Sequence, residues 1–284
     1  MNVGGLSSWS LLKLGWMDKS LVIRQDTRSE GTFNLDALGV KDGKTFLLQV
    51  HKPGTGQDYY VELREKVGAD AEIPSRYSTV TFGIVVYLIG VGPSPEEGLV
   101  QVIDSHPGSN SNPARDLFDA PFNIGKNGNP AFVDDSVGLS VIVLKRAAYT
   151  YTVMLGSAAQ GEQARTANDA IAKAQDGVLK AEGQSRTIGL DAGKEELRKA
   201  QAAYEGGQFA EATTNARNAL NLATAATAPA TTITSYSATT ISSQTETETS
   251  QPTQVFPTLA IYGIASVVAV GVLLAFWFVR KRRT

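Results

Sequence analysis

Between residues 20 and 156 the chain repeatedly gathers Val, Ile, Leu, Tyr and Phe into runs of strand length, most of them separated by Gly, Pro, Asn or Asp. Seven strands are predicted: Ser20–Asp26, Lys44–Lys52, Tyr59–Glu65, Thr81–Gly90, Gly98–Ser105, Val137–Lys145 and Tyr149–Leu155. In the third, Tyr59, Val61 and Leu63 alternate with Tyr60, Glu62 and Arg64, the period of a half-exposed strand. Ile84–Ile89 is apolar throughout and predicts an interior strand covered on both faces. The region reads as mainly β, a sandwich or a partly closed barrel. Pro107–Pro130 reads as a long loop with an apolar patch at Leu117, Phe118 and Phe122.

From Ser157 the period changes. Ala, Gln, Glu, Lys and Arg dominate, and apolar residues return every three or four positions. One helix is predicted over 158–182, with Ala164, Ala167, Ile171, Ala174, Val178 and Ala181 on its buried stripe. A second is predicted over 190–226, broken or bent at Gly206-Gly207. Residues 157–226 are therefore expected to form a helical hairpin with a narrow, Ala-rich seam.

Two further segments have no core-forming pattern. Residues 227–253 hold fifteen Ser or Thr among twenty-seven, so 227–255 reads as a disordered stalk open to O-glycosylation. Residues 256–279 are apolar and uncharged and end at Arg280, Lys281, Arg282 and Arg283. As a helix, Thr258–Val279 would be about 33 Å long, enough to cross a hydrocarbon core of about 30 Å. The basic cluster places the tail, 280–284, in the cytoplasm and the bulk outside. The expectation is a single-pass protein of the cell membrane. Met1–Leu14 has no charged start followed by an apolar core and a cleavage site, so the chain is expected to be the downstream part of a longer exported precursor.

Charge and composition narrow the chemistry. The formal net charge of −2 becomes −6 once the four cations of the tail are set aside, which is no nucleic-acid footprint. With no cysteine, disulfides and thiolate chemistry are excluded, and an outward-facing protein without disulfides fits a prokaryotic surface. Only two histidines exist, His51 and His106, and neither belongs to a His-Glu-x-x-His helix or a Gly-x-Ser-x-Gly elbow. Asp104 and His106 offer two metal ligands at one strand end, and Asp134-Asp135 could add oxygen ligands for calcium. No catalytic or cofactor-binding residue is assigned. Gly54-x-Gly56 and Gly90-x-Gly92 read as turns, and Glu62, Glu65, Asp70 and Glu72 as solvated charge on a strand and its loop.

The opening Gly5-Leu6-Ser7-Ser8-Trp9-Ser10, followed by Lys13-Leu14-Gly15-Trp16-Met17, resembles a segment of the immune inhibitor A family of zinc metallopeptidases. Further pieces match in order: Tyr59–Arg64, Ile73-Pro74, Phe82–Tyr87, Asp116-Leu117-Phe118, and Phe132, Asp134, Ser136, Gly138, Leu139 and Val141. The resemblance covers about residues 1–155. It implies that residues 1–19 end a protease domain, that 20–156 form the β domain behind it, and that Trp9, Leu14 and Trp16 are buried between the two. The family's zinc-binding helix lies upstream of the Gly-Trp segment, so zinc and cleavage of a protein or peptide substrate belong to a full-length parent, and this chain carries no cofactor of its own. The function implied is the membrane-anchored C-terminal part of a cell-surface zinc metallopeptidase. The alternative is a non-catalytic surface or envelope protein that binds a ligand on a stalk; a third is a calcium-stabilised structural layer.

Overall fold

The computed structural model describes residues 6–26, 29–72, 80–90 and 100–230. The predicted stalk beyond 230, the span at 256–279 and the tail at 280–284 lie outside the described residues. Among the described residues no helix is long and apolar enough to cross a membrane.

Two β-sheets are followed by three packed helices. Among the described residues the strands are β1 (Val22–Asp26), β2 (Gly31–Asp36), β3 (Leu47–Lys52), β4 (Gln57–Arg64), β5 (Gly83–Ile89), β6 (Val100–Ile103), β7 (Ala131–Asp134), β8 (Leu139–Ala147) and β9 (Thr150–Ser157). A short helix, α1 (Ser8–Lys13), precedes them, and a single turn, α2 (Pro113–Asp116), interrupts the long loop. The first sheet has the order β1-β3-β4-β5-β6 and the second β2-β9-β8-β7. Among the described strands only β1 and β3 pair in parallel. The two sheets share one core, in which Val50, Tyr59, Val61, Leu63, Ile84 and Val86 of the first meet Leu35, Phe132, Val141, Tyr151, Val153 and Leu155 of the second. An isolated bridge between Ala37 and Leu63 ties the sheets at one corner.

All seven predicted runs contain a strand, and β2 and β7 are additional. Both lie at edges of the second sheet. β2 has only Phe33 and Leu35 in alternation, and β7 is four residues placed directly after Pro130, where the predicted loop ends. An edge strand buries little of one face, so its apolar signal is short.

β4 departs from the half-exposed reading: Tyr59–Leu63 are all buried. Tyr59, Val61 and Leu63 enter the shared core, while Tyr60 and Glu62 point to the opposite face and are covered there as well. β5 is covered on both faces as expected, with Val85 and Tyr87 outward.

The helical part has three helices where a hairpin was expected: α3 (Ala158–Gly183), α4 (Leu190–Glu205) and α5 (Phe209–Ala225). A capping box opens α3, with Ser157 N donating to Gln160 Oε1 at 2.7 Å and Gln160 N to Ser157 Oγ at 3.3 Å. The Gly pair ends α4 outright. Gly207 takes φ +75°, Gln208 N reaches Ala203 O at 2.8 Å and Gly207 N reaches Tyr204 O at 2.9 Å, the paired bonds of a Schellman motif. The predicted stripe of α3 is buried. Its upper part packs with Ala200, Tyr204, Phe209, Ala212 and Ala216 onto Ile142 and Leu144, which point out of the second sheet away from the shared core. At the bulge in β8, Tyr204 Oη donates to Val143 O at 3.1 Å, and burial holds this hydroxyl above its ordinary pKa.

The two-residue turn between β8 and β9 places Ala148 at φ 47°, where an L residue costs about 1–2 kcal/mol. Ala148→Gly is therefore expected to raise stability by about 0.5–1 kcal/mol, read as a higher urea midpoint at unchanged slope.

Candidate functional site

The outer face of the first sheet, opposite the shared core, is apolar where a solvent-facing sheet would be polar. Cross-strand neighbours Tyr60 and Tyr87, with Leu47 and Val85 nearby, form a second cluster with Val22 and Met17. Residues 6–17 lie over it as a strap. Ser7 caps α1 by accepting from Ser10 N at 3.3 Å, which starts a helix too short to persist unaided. Trp9, Leu11 and Leu12 pack onto the cluster. Gly15, at φ +72°, then turns the chain so that Trp16 N and Met17 N both reach Leu11 O, at 2.8 and 3.2 Å.

One buried carboxylate fixes the strap. Glu62 is fully buried, and it accepts from Ser8 N at 2.6 Å, Tyr87 Oη at 2.9 Å and Arg64 Nη1 at 3.0 Å. Arg64 also donates through Nε and Nη2 to the two oxygens of Asp70 at 2.5 Å, a bidentate pair beneath the loop after β4. Burial and the adjacent Glu62 carboxylate push the Tyr87 hydroxyl far above its ordinary pKa, so it stays a donor. Burial opposes the Arg64 charge, but Asp70 and Glu62 outweigh it and hold the guanidinium above its ordinary pKa.

Glu62, Glu65 and Asp70, read from sequence as solvated charge, are all buried. Glu65 accepts from Tyr151 Oη at 2.7 Å, with Arg146 3.4 Å away. The signal for this network lies in two neighbouring strands, β4 and β5, which carry large side chains on both faces. A Glu opposite such a surface has to be buried with partners.

Beside the strap lies a groove of about 310 Å³, lined mostly by apolar residues including Leu6, Trp16, Met17, Leu38 and Phe46, with Arg64 and Asp70 among its polar lining. Its wall depends on a close backbone approach: a Cβ on Gly68, at φ +60°, would lie 2.9 Å from Gly39 Cα. The expected burial of both tryptophans is corrected here. Trp9 is partly buried under the strap, but Trp16 is 70% exposed and Leu14 54%, because the turn at Gly15 sends Met17 inward in their place.

The four proposed metal ligands do not come together. Asp104 Oδ1 accepts from His106 N at 2.9 Å, and its other oxygen is buried without a hydrogen-bond partner. Ser105 Oγ donates its one proton to Asp119 O at 2.8 Å or Pro121 O at 3.1 Å, and His106 Nδ1 lies 2.7 Å from the same oxygen. Asp134 is held elsewhere by Lys52 at 2.8 Å, by the Tyr59 hydroxyl and by Ser136, and Asp135 is exposed. No group of three His, Asp or Glu among the described residues is arranged to hold a metal ion, and with two histidines in the sequence the chain does not fit the family's zinc site.

The Lys52–Tyr59–Asp134 cluster clamps β3 and β4 of the first sheet to β7 of the second. Burial works against the Asp134 charge, but hydrogen bonds from Lys52, Ser136 and Tyr59 prevail and hold its carboxyl well below the usual carboxylate range. Tyr59 is pushed up to about 12 by burial and by Asp134. A depressed folded-state pKa gives stability that is complete above the ordinary carboxylate value and is lost as pH falls toward the folded value. Asp134→Asn is expected to cost about 1–3 kcal/mol at neutral pH and to flatten the fall of the urea midpoint in acid. An equal acid slope in both proteins would show that this clamp is not what acid releases.

Comparisons with protein-family models, with curated proteins and with solved structures find no match for this chain.

Proposed function

We propose that this chain is the membrane-anchored, non-catalytic downstream part of a cell-surface zinc metallopeptidase of the immune inhibitor A type. Peptide-bond hydrolysis, the zinc ion and the contacts to a protein or peptide substrate would belong to the polypeptide upstream. In this reading the two sheets are the β domain, the three helices the spacer, residues 227–255 the stalk, 256–279 the span and 280–284 the cytoplasmic tail.

One observation carries the reading: three of the segments that bear the resemblance meet around one carboxylate. Ser8 of the Gly-Trp segment donates to Glu62, 54 residues away, and Tyr87 of the Phe82–Tyr87 segment donates to the same side chain from 25 residues away. The strap also presents Leu6, Leu14 and Trp16 outward beside the groove, a face suited to a protease domain packed against it.

The groove favours a second reading, a surface protein that binds a ligand there without any peptidase. The two separate on protein captured from its native membrane with an antibody to residues 6–230. Peptidase activity that a chelator removes and zinc restores supports the first. Captured protein without zinc or activity, but with a small molecule or peptide displaced by Phe46→Trp, supports the second. The tether is tested separately by proteolysis of intact cells, which should release a soluble fragment cut between Thr227 and Pro252.

A further inference from the structure

The loop from Phe122 to Pro130 carries the one Asn-Gly pair in the sequence, Asn127-Gly128, and the turn dictates both residues. Asn127 stands at φ 63°, a left-handed conformation in which Asn and Gly are the common occupants. At Gly128 a Cβ would lie 2.5 Å from Asn123 O, so a side chain does not fit. Asn127 is exposed, and its carboxamide makes no hydrogen bond. The fold thus places an unprotected carboxamide next to the backbone nitrogen least shielded by a side chain.

We propose that Asn127 is a self-modification site, at which the chain converts asparagine to isoaspartate. Gly128 N, after giving its proton to hydroxide, attacks Asn127 Cγ; the Cγ–N bond of the carboxamide breaks, ammonia leaves and a succinimide ring closes. Hydroxide then adds to one of the two ring carbonyls. Opening at the α-carbonyl leaves the main chain running through the side-chain carbon as isoaspartate, and opening at Cγ gives aspartate. Water and hydroxide are the sole co-reactants.

The surrounding structure sets the rate. Gly128 N–H donates to Gly125 O at 3.1 Å. The whole turn is clamped to α3 by the buried Asn168, whose Nδ2 donates to Gly125 O and Gly128 O at 3.1 Å each and whose Oδ1 accepts from Gly125 N at 2.7 Å. Attack by Gly128 N therefore waits for the turn to leave Asn168. The product works in the other direction: isoaspartate adds a methylene to the main chain between the clamped glycines, so the turn no longer matches the three bonds of Asn168. Modification severs a tie between the second sheet and the helix layer, which makes it a one-way change of the fold.

The test incubates the full chain in mildly acidic and mildly alkaline buffer. The tryptic peptide Asn127–Lys145 is read by mass spectrometry for amide-to-acid conversion and by an isoaspartate-specific methyltransferase for the isomer. Conversion is expected at Asn127 ahead of every other asparagine, faster in alkali, several-fold faster in Asn168→Ala, and lost in Asn127→Gln. Circular dichroism checks that Asn168→Ala keeps its secondary structure. If that variant unfolds, the rate is followed in the unaltered chain across sub-denaturing urea, where it should rise as the turn opens. An Asn127 that stays intact while other asparagines convert, or a rate indifferent to Asn168 or to urea, overturns the proposal.

Discussion

Glu62→Ala is expected to lower stability by about 3–5 kcal/mol and to free residues 6–17 from the sheet. The change leaves Ser8 N–H and Tyr87 Oη without their acceptor and removes a carboxylate that neutralises Arg64 inside the protein. Solvent does not replace the lost partner, because Glu62 is fully buried. Glu62→Gln keeps the shape and one acceptor oxygen, so it should fall between Ala and the unaltered chain. Urea unfolding followed by far-ultraviolet circular dichroism gives the stability. Proteolytic sensitivity near Lys13 and Lys19 reports the release of the strap. An unchanged midpoint with the strap still protected would mean that the apolar contacts of Trp9, Leu12 and Met17 suffice to hold it.

The second large effect is expected at Gly161, in the first turn of α3. A Cβ there would lie 2.6 Å from Val133 Cγ2 and 2.8 Å from Ser140 Cβ, so the helix rests directly on β7 and β8. Gly161→Val should cost about 3 kcal/mol through overpacking, despite the relief of a glycine within a helix. The helix layer should loosen first, since Ile142 and Leu144 of β8 share their cluster with Ala164, Ala167 and Ile171. Hydrogen exchange is the readout: amides of α3 and α5 should lose protection before those of β4 and β5. Equal loss in all four elements would show that helices and sheets unfold as one cooperative unit.

The sequence carried the helices better than the strands, for a physical reason. The stripe from Ala164 to Ala181 repeats over 18 residues and one capping box opens it, so period and start agree. A strand such as β7 has four residues in which to show a period of two, too few for the alternation to stand out. The alternation of β4 was visible, but its meaning was set by what covers Tyr60 and Glu62, a strap 50 or so residues earlier in the chain. Burial of a charge is a tertiary fact, and the strand's own pattern does not contain it. Asp134 makes the same point from the other side: as one of two adjacent acids it suggested a cation, whereas Lys52, 82 residues away, supplies the positive charge from within the protein.

The exposure of Trp16 and Leu14 has consequences for the functional reading. In the family resemblance these residues pack between two domains, and in the described fold they have one of the two faces. The strap is pinned below by Glu62 and exposes Leu14 and Trp16 above, and the proposed role would cover that face with a further protein body.

The most direct measurement is a peptide map of the polypeptide as it occurs in its native membrane, captured through residues 6–230. The proposed function requires peptides contiguous with residue 1 on its upstream side, among them one bearing His-Glu-x-x-His, and zinc in the captured protein. A polypeptide that begins at Met1 and holds no zinc would contradict it.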